Sequence, residues 1–150
     1  MVDVGAAIPD VTVKNDAGKD VRLTEIPRPF ILYFYPKADT PGCTNEGGQF
    51  RDLYARFKEK GTEVIGVSRD SVEAQHAFKT KYDFPFQLLA DVDSKVCDGF
   101  GTLVERERDG VKSMGVARAT FLIGKDGTVE NVWPAVSVEG HGADVLACAL

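Results

Sequence analysis

The spacing of apolar and polar positions divides this chain into short segments of alternating period. Val11-Thr12-Val13 and Val21-Arg22-Leu23 alternate with period two on either side of Asn15-Asp16-Ala17-Gly18-Lys19. Alternation around a Gly-containing polar stretch predicts a β-hairpin. Phe30-Ile31-Leu32-Tyr33-Phe34-Tyr35 then runs without a polar break between Pro29 and Pro36. Its β-rich composition predicts a buried strand. Pro36 and Pro41-Gly42 stop that strand, because proline cannot continue its ladder of hydrogen bonds. From Thr44 to Lys60 the period changes: Phe50, Leu53, Tyr54 and Phe57 recur at i, i+3, i+4 and i+7, the stripe of an amphipathic helix. Gly61 supplies its C-terminal stop. The local order is therefore strand, tight loop, cysteine, helix, and it sets Cys43 in or near the first helical turn.

The remaining pattern continues in βα units. Val64-Ile65-Gly66-Val67 predicts a second strand, parallel to the first and buried on both faces. Asp70 or Ser71 can cap a helix that turns Ala74, Ala77, Phe78 and Tyr82 inward. Phe86 to Leu89 predicts a third strand, and Asp93 or Ser94 a cap for a short helix through Val96 to Phe100. Gly101 to Val116 is charged and reads as an exposed loop or ragged hairpin. Thr120 to Ile123 and Thr128 to Trp133 flank Lys125-Asp126-Gly127, a hairpin signal. A small helix from about Gly142 to Ala149 closes the chain. Right-handed crossovers place helices on both faces of the sheet. The expected fold is α/β and thioredoxin-like: a central mixed β-sheet flanked by helices, with an N-terminal β-hairpin extension, in a single domain over residues 1–150.

Composition narrows the function classes. A chain of 150 residues can bury one real core. The net charge of −5 argues against a nucleic-acid partner. No apolar run reaches membrane-spanning length, and the N-terminus lacks a basic start and an apolar signal core, so no membrane partner is expected. The three cysteines, Cys43, Cys97 and Cys148, are odd in number and widely spaced, which predicts a reducing cytoplasm rather than a disulfide framework. With His76 and His141 they show no ligand spacing, so neither a metal nor a cofactor is expected.

The chemistry then centres on Cys43. The first turn of a helix offers free N–H groups and the positive end of the dipole, which favour an anion. A thiol there ionises more readily, and the thiolate is the reactive form. Glu46 lies one turn on, where it can either hold Arg51 or stabilise the helix start. Gly47-Gly48 costs about 1 kcal/mol per glycine relative to alanine. The pair either loosens the first turns or admits a closely packed neighbour. His76 and His141 read as surface histidines, which weakens a cysteine-hydrolase reading. The lack of Cys-x-x-Cys weakens a dithiol oxidoreductase.

At Pro36-x-x-x-Thr40-x-x-Cys43 the chain resembles the peroxiredoxins. The longer text, Tyr33-Phe34-Tyr35-Pro36-Lys37 through Thr40-Pro41-Gly42-Cys43-Thr44, is similar to the bacterioferritin-comigratory or Q-type subfamily. Ile8-Pro9-Asp10, Phe50-Arg51-Asp52 and Arg118-Ala119-Thr120-Phe121-Leu122-Ile123 extend the likeness over nearly the whole chain. The resemblance implies a monomeric thiol peroxidase. It would reduce hydrogen peroxide and organic hydroperoxides through a sulfenic acid on Cys43, recycled by thioredoxin or a similar thiol. Cys43 would be the nucleophile, Arg118 the cation beside it, Thr40 a hydroxyl toward the peroxide and Pro36 an apolar wall. Many such relatives carry a resolving cysteine five residues on; here that position is Gly48, which closes that route. Cys97, Cys148 and an external thiol all stay open as the resolving group. The alternative function is a non-enzymatic thiol redox sensor on the same fold.

Overall fold

The computed structural model describes residues 1–149. Its centre is the uninterrupted apolar run, which forms β3 (Phe30–Phe34), every residue of it buried. The strand alternates strictly between two cores. Phe30, Leu32 and Phe34 join one apolar cluster, while Ile31, Tyr33 and Tyr35 join the other, which also holds Cys43. A strand buried on both faces needs no polar side, which is why its sequence shows no alternation.

Around it stand β1 (Thr12–Asn15), β2 (Asp20–Arg22), β4 (Glu63–Ser68), β5 (Leu88–Ala90), β8 (Ala119–Ile123) and β9 (Val129–Trp133). The seven-stranded sheet has the order β2-β1-β5-β4-β3-β8-β9. Strands β3, β4 and β5 are parallel, and the flanking pairs are antiparallel, so the sheet is mixed. The N-terminal hairpin β1–β2 extends it at the β5 edge, as its pattern predicts. Helices α1 (Pro41–Glu59), α2 (Val72–Tyr82) and α4 (His141–Cys148) supply Cys43, Phe50, Phe57, Phe78, Val145 and Leu146 to the Cys43 core. The short α3 (Lys95–Phe100) packs Val96, Cys97 and Phe100 on the opposite face.

Of the two readings of the stretch after Gly101, the hairpin is the one found: β6 (Leu103–Arg108) pairs with β7 (Val111–Val116) outside the main sheet. Two other expectations change in detail. Ala77 of α2 is exposed, and Gln75 takes the inward place, donating to Ser68 Oγ and the Leu89 carbonyl and accepting from Tyr35. Ser94 stands at the N-cap position of α3, but its side chain makes no capping bond; the buried Asp91 carboxylate accepts instead from the N–H groups of Val96 and Cys97. Polar residues that bond inside a core carry no apolar signal, so periodicity cannot find them.

The two glycines of α1 separate into different cases. A Cβ on Gly47 would lie 2.5 Å from the Phe84 ring, so this glycine admits a closely packed neighbour. A Cβ on Gly48 would meet only Arg51 Nη2, at an ordinary 3.5 Å. Gly47→Ala is therefore expected to destabilise by about 1–3 kcal/mol through overpacking. Gly48→Ala is expected to stabilise by up to about 1 kcal/mol through helix propensity. Urea unfolding of both variants checks the opposite signs.

Candidate active site

The chain leaves β3 with the Tyr35 N–H still bonded to the Val67 carbonyl, and then turns sharply. Asp39 takes a left-handed φ of 63°, and its carboxylate accepts from the Tyr82 hydroxyl and from Lys81 Nζ. Ala38 N–H donates to Asp70 Oδ2 at 2.8 Å, and Asp70 also accepts from Ser68. These contacts tie the loop to the ends of α2 and β4. Thr40 is the N-cap residue and Pro41 the first residue of α1, where a missing N–H costs nothing. The Thr40 side chain does not cap the helix. Its hydroxyl donates to the Lys37 carbonyl at 3.2 Å, which leaves the oxygen free to accept. Pro36 lies exposed at the start of the loop.

Cys43 is the third residue of α1 and only 1% exposed. Its sulfur accepts from Arg118 Nη2 at 3.3 Å. Arg118 comes from the residue before β8, and β8 pairs with β3, so strand pairing delivers the guanidinium to the sulfur. A Cβ on Gly42 would sit 3.1 Å from Arg118 Nη2, so a small residue there lets the guanidinium approach. Thr40, Cys43 and Arg118 thus gather at one sheet end and one helix start.

The other edge of the guanidinium is occupied as well. Arg118 Nη1 donates to Glu46 Oε1 at 2.8 Å, and the Glu46 side chain is fully buried. Glu46 therefore holds Arg118 and not Arg51, whose Nη1 donates to the Tyr82 carbonyl instead. Glu46 Oε2 is buried without a hydrogen-bond partner. Burial pushes the Glu46 carboxyl up to about 7, against the pull of Arg118. His141 is no surface histidine: it is 3% exposed, edge-on to Phe50 and Trp133, with Nε2 at 2.8 Å from Thr120 Oγ1. Burial drives its imidazole down to about 4, so it is neutral at pH 7. Sequence alone gave no sign of this role, since one His between two glycines carries no periodicity. His76 stands exposed on α2, beside an open groove of about 830 Å³ that Cys43 and Arg118 do not line.

The other two cysteines lie apart from this site. Cys97 is fully buried in the core on the opposite face of the sheet, and burial raises its thiol to about 12. Cys148 is exposed at the end of α4. That helix runs alongside α1 in the same direction: Gly142 N–H meets Gln49 Oε1 at 2.8 Å, and Lys60 Nζ meets the Ala149 carbonyl at 3.0 Å. Cys148 is consequently near the far end of α1, about 20–25 Å from Cys43 at 1.5 Å per residue. Among the described residues, no group of three or more His, Cys, Asp or Glu is arranged to hold a metal, and no helix is long and apolar enough to cross a membrane.

Comparison with known proteins adds a family frame. Residues 4–132 match the model of the AhpC/TSA family. The chain is 40% identical over 146 residues to peroxiredoxin Bcp of Bacillus subtilis, covering 97% of this chain and 93% of that one. A solved structure of the Xanthomonas campestris bacterioferritin comigratory protein, studied for its alkyl peroxide reduction activity, superposes with a TM-score of 0.92. It shares 35% identity and covers 98% of this chain and 97% of its own. Peroxidoxin BcpB of Mycobacterium tuberculosis superposes with a TM-score of 0.87 at 35% identity, covering 98% of this chain and 96% of its own.

Two of the buried titratable groups, Glu46 and His141, pull stability in opposite directions with pH. His141 falls from 6.5 to about 4 on folding, so between those values the unfolded chain binds the extra proton and stability drops as pH falls. Glu46 rises from 4.5 to about 7, so there the folded chain binds the extra proton and stability drops as pH rises. Between pH 6.5 and 4, wild type should therefore lose stability relative to His141→Asn by on the order of 1 kcal/mol per pH unit. Urea unfolding at a series of pH values measures the difference.

Proposed function

The chain belongs to the AhpC/TSA family, and from that premise we propose that it is a thiol-dependent peroxidase of the Bcp and peroxiredoxin Q kind, with Cys43 as its nucleophile. The observation that carries this reading is the 3.3 Å bond from Arg118 Nη2 to the Cys43 sulfur at the start of α1. A thiolate at a helix N-terminus beside a guanidinium is placed to attack an electrophilic oxygen.

In the proposed reaction the Cys43 thiolate attacks the terminal oxygen of a hydroperoxide. The S–O bond forms as the O–O bond breaks, sulfur is oxidised to the sulfenic acid, and the leaving alkoxide or hydroxide takes a proton to become alcohol or water. Thr40 has already given its hydrogen to Lys37, so toward the substrate it accepts, and it can take the O–H of the peroxide. Arg118 presents a rigid fork whose charge opposes the negative charge developing on the leaving oxygen. Pro36 contributes a side without an N–H donor at the loop start.

Recycling is proposed to come from outside the chain. Cys97 lies across the sheet with a thiol held neutral, and Cys148 lies at the other end of α1, which supports a thioredoxin-class or similar thiol as the partner that meets the sulfenic acid. The odd cysteine count supports a reducing, cytoplasmic setting, and hydrogen peroxide and organic hydroperoxides are the proposed substrates of a monomeric enzyme.

A coupled assay with thioredoxin, its reductase and peroxide tests this. Steady turnover is expected, lost completely in Cys43→Ser and reduced about 10²–10³-fold in Arg118→Lys, which keeps the charge but loses the fork. One stoichiometric oxidation followed by arrest would instead mark a redox sensor. Mass spectrometry after one equivalent of peroxide should show a sulfenic acid on Cys43 with no internal disulfide. A Cys43–Cys97 or Cys43–Cys148 disulfide would replace the external route.

A further inference from the structure

Arg118 is one cation between two acids. Nη2 faces the Cys43 sulfur at 3.3 Å, and Nη1 faces Glu46 Oε1 at 2.8 Å. If both acids ionise, two negative charges converge on one positive charge in a site that water barely enters. Like charges that share a small dry site do not ionise independently.

The surroundings of Glu46 show which acid yields. Its second oxygen, Oε2, is buried with no donor, and a bare carboxylate oxygen in that position is costly. His141 Nε2 stands 3.9 Å from it, beyond hydrogen-bond reach. That nitrogen has one in-plane hydrogen-bonding site, and Thr120 Oγ1 fills it at 2.8 Å in either tautomer. With that site filled by Thr120, His141 gives no N–H to Glu46 Oε2, and an ionised Glu46 goes without that stabilisation. Other titratable groups do not relieve it. Tyr33, on β3, has a buried unpartnered hydroxyl whose ionisation is pushed well upward by burial, and Asp144 acts on His141 from α4.

We propose that Cys43 and Glu46 hold a single proton between them around Arg118 at neutral pH, and that the His141–Thr120 bond tips that proton toward Glu46 and so toward the ionised sulfur. In moving between the two forms, the S–H bond of Cys43 breaks and an O–H bond on Glu46 forms, with no change in total charge. The burial-raised Glu46 carboxyl, at about 7, agrees with this balance. Glu46 and Thr120 are positioning residues here, since they act on the sulfur only through Arg118 and His141. The idea takes the nucleophile from the proposed peroxidase, but its readouts involve no peroxide, so the two can fail separately.

The test follows alkylation of Cys43 by iodoacetamide against pH, reading the Cys43 peptide by mass spectrometry so that exposed Cys148 does not interfere. Glu46→Gln removes the competing anion and should move the half-point of the profile down by about one pH unit, a tenfold change in the ionisation equilibrium. Thr120→Val frees His141 Nε2 for Glu46 and should move the half-point up. Opposite shifts support the shared proton. An unmoved half-point in Glu46→Gln, or shifts in the same direction, overturn it. If Glu46→Gln does not fold, the reciprocal measurement decides: in Cys43→Ser the carboxyl carbon of Glu46, followed by ¹³C NMR, should titrate at lower pH than in wild type. An unchanged titration there overturns the proposal as well.

Discussion

One guanidinium, held between a sulfur and a buried carboxyl, is the constraint on which the structure of this site depends. Arg118 reaches Cys43 only because β8 runs antiparallel to β3 in the register that sets Ala119 opposite Phe34. It keeps its direction only because Glu46, one turn along α1, takes its other edge. An arginine fork is suited to this task, since its two nitrogens can bond two partners at fixed angles. A lysine would supply the charge but not the geometry. Breaking such a buried pair from one side strands the other member, which makes the arrangement intolerant of piecemeal change.

The sheet does a second job by separating the cysteines. Cys43 and Cys97 both lie within its reach, yet strict alternation of β3 assigns them to different cores. In the folded chain the two thiols therefore sit in separate cores. The same α1 that carries Cys43 at its start keeps Cys148 at a distance, because α4 runs parallel to it. The chain thus has three thiols in three environments: one beside a cation, one in an apolar core and one in solvent.

Much of this was legible in the sequence. The apolar run ending in Pro36, the proline-glycine break and the helical stripe after Cys43 fixed the strand–loop–helix order, and the likeness of Pro36, Thr40, Cys43 and Arg118 to a known family pattern pointed to the site. What stayed hidden was polar and buried. Gln75 replaced an expected alanine, Asp91 capped α3 from a strand end, and His141 turned out to be packed against Phe50. Each of these is stabilised by well-placed hydrogen bonds or edge contacts, and such contacts depend on the tertiary neighbours rather than on spacing along the chain. Gly47 was ambiguous for the same reason, since only the position of the Phe84 ring decides what the glycine is for.

The exposed thiol at the end of α4 has a practical use. A maleimide dye or a gold surface would find Cys148 open, while Cys43 is 1% accessible and Cys97 sealed in the core. The molecule can therefore carry a fluorescent reporter, or be tethered in one orientation, at the pole opposite Cys43.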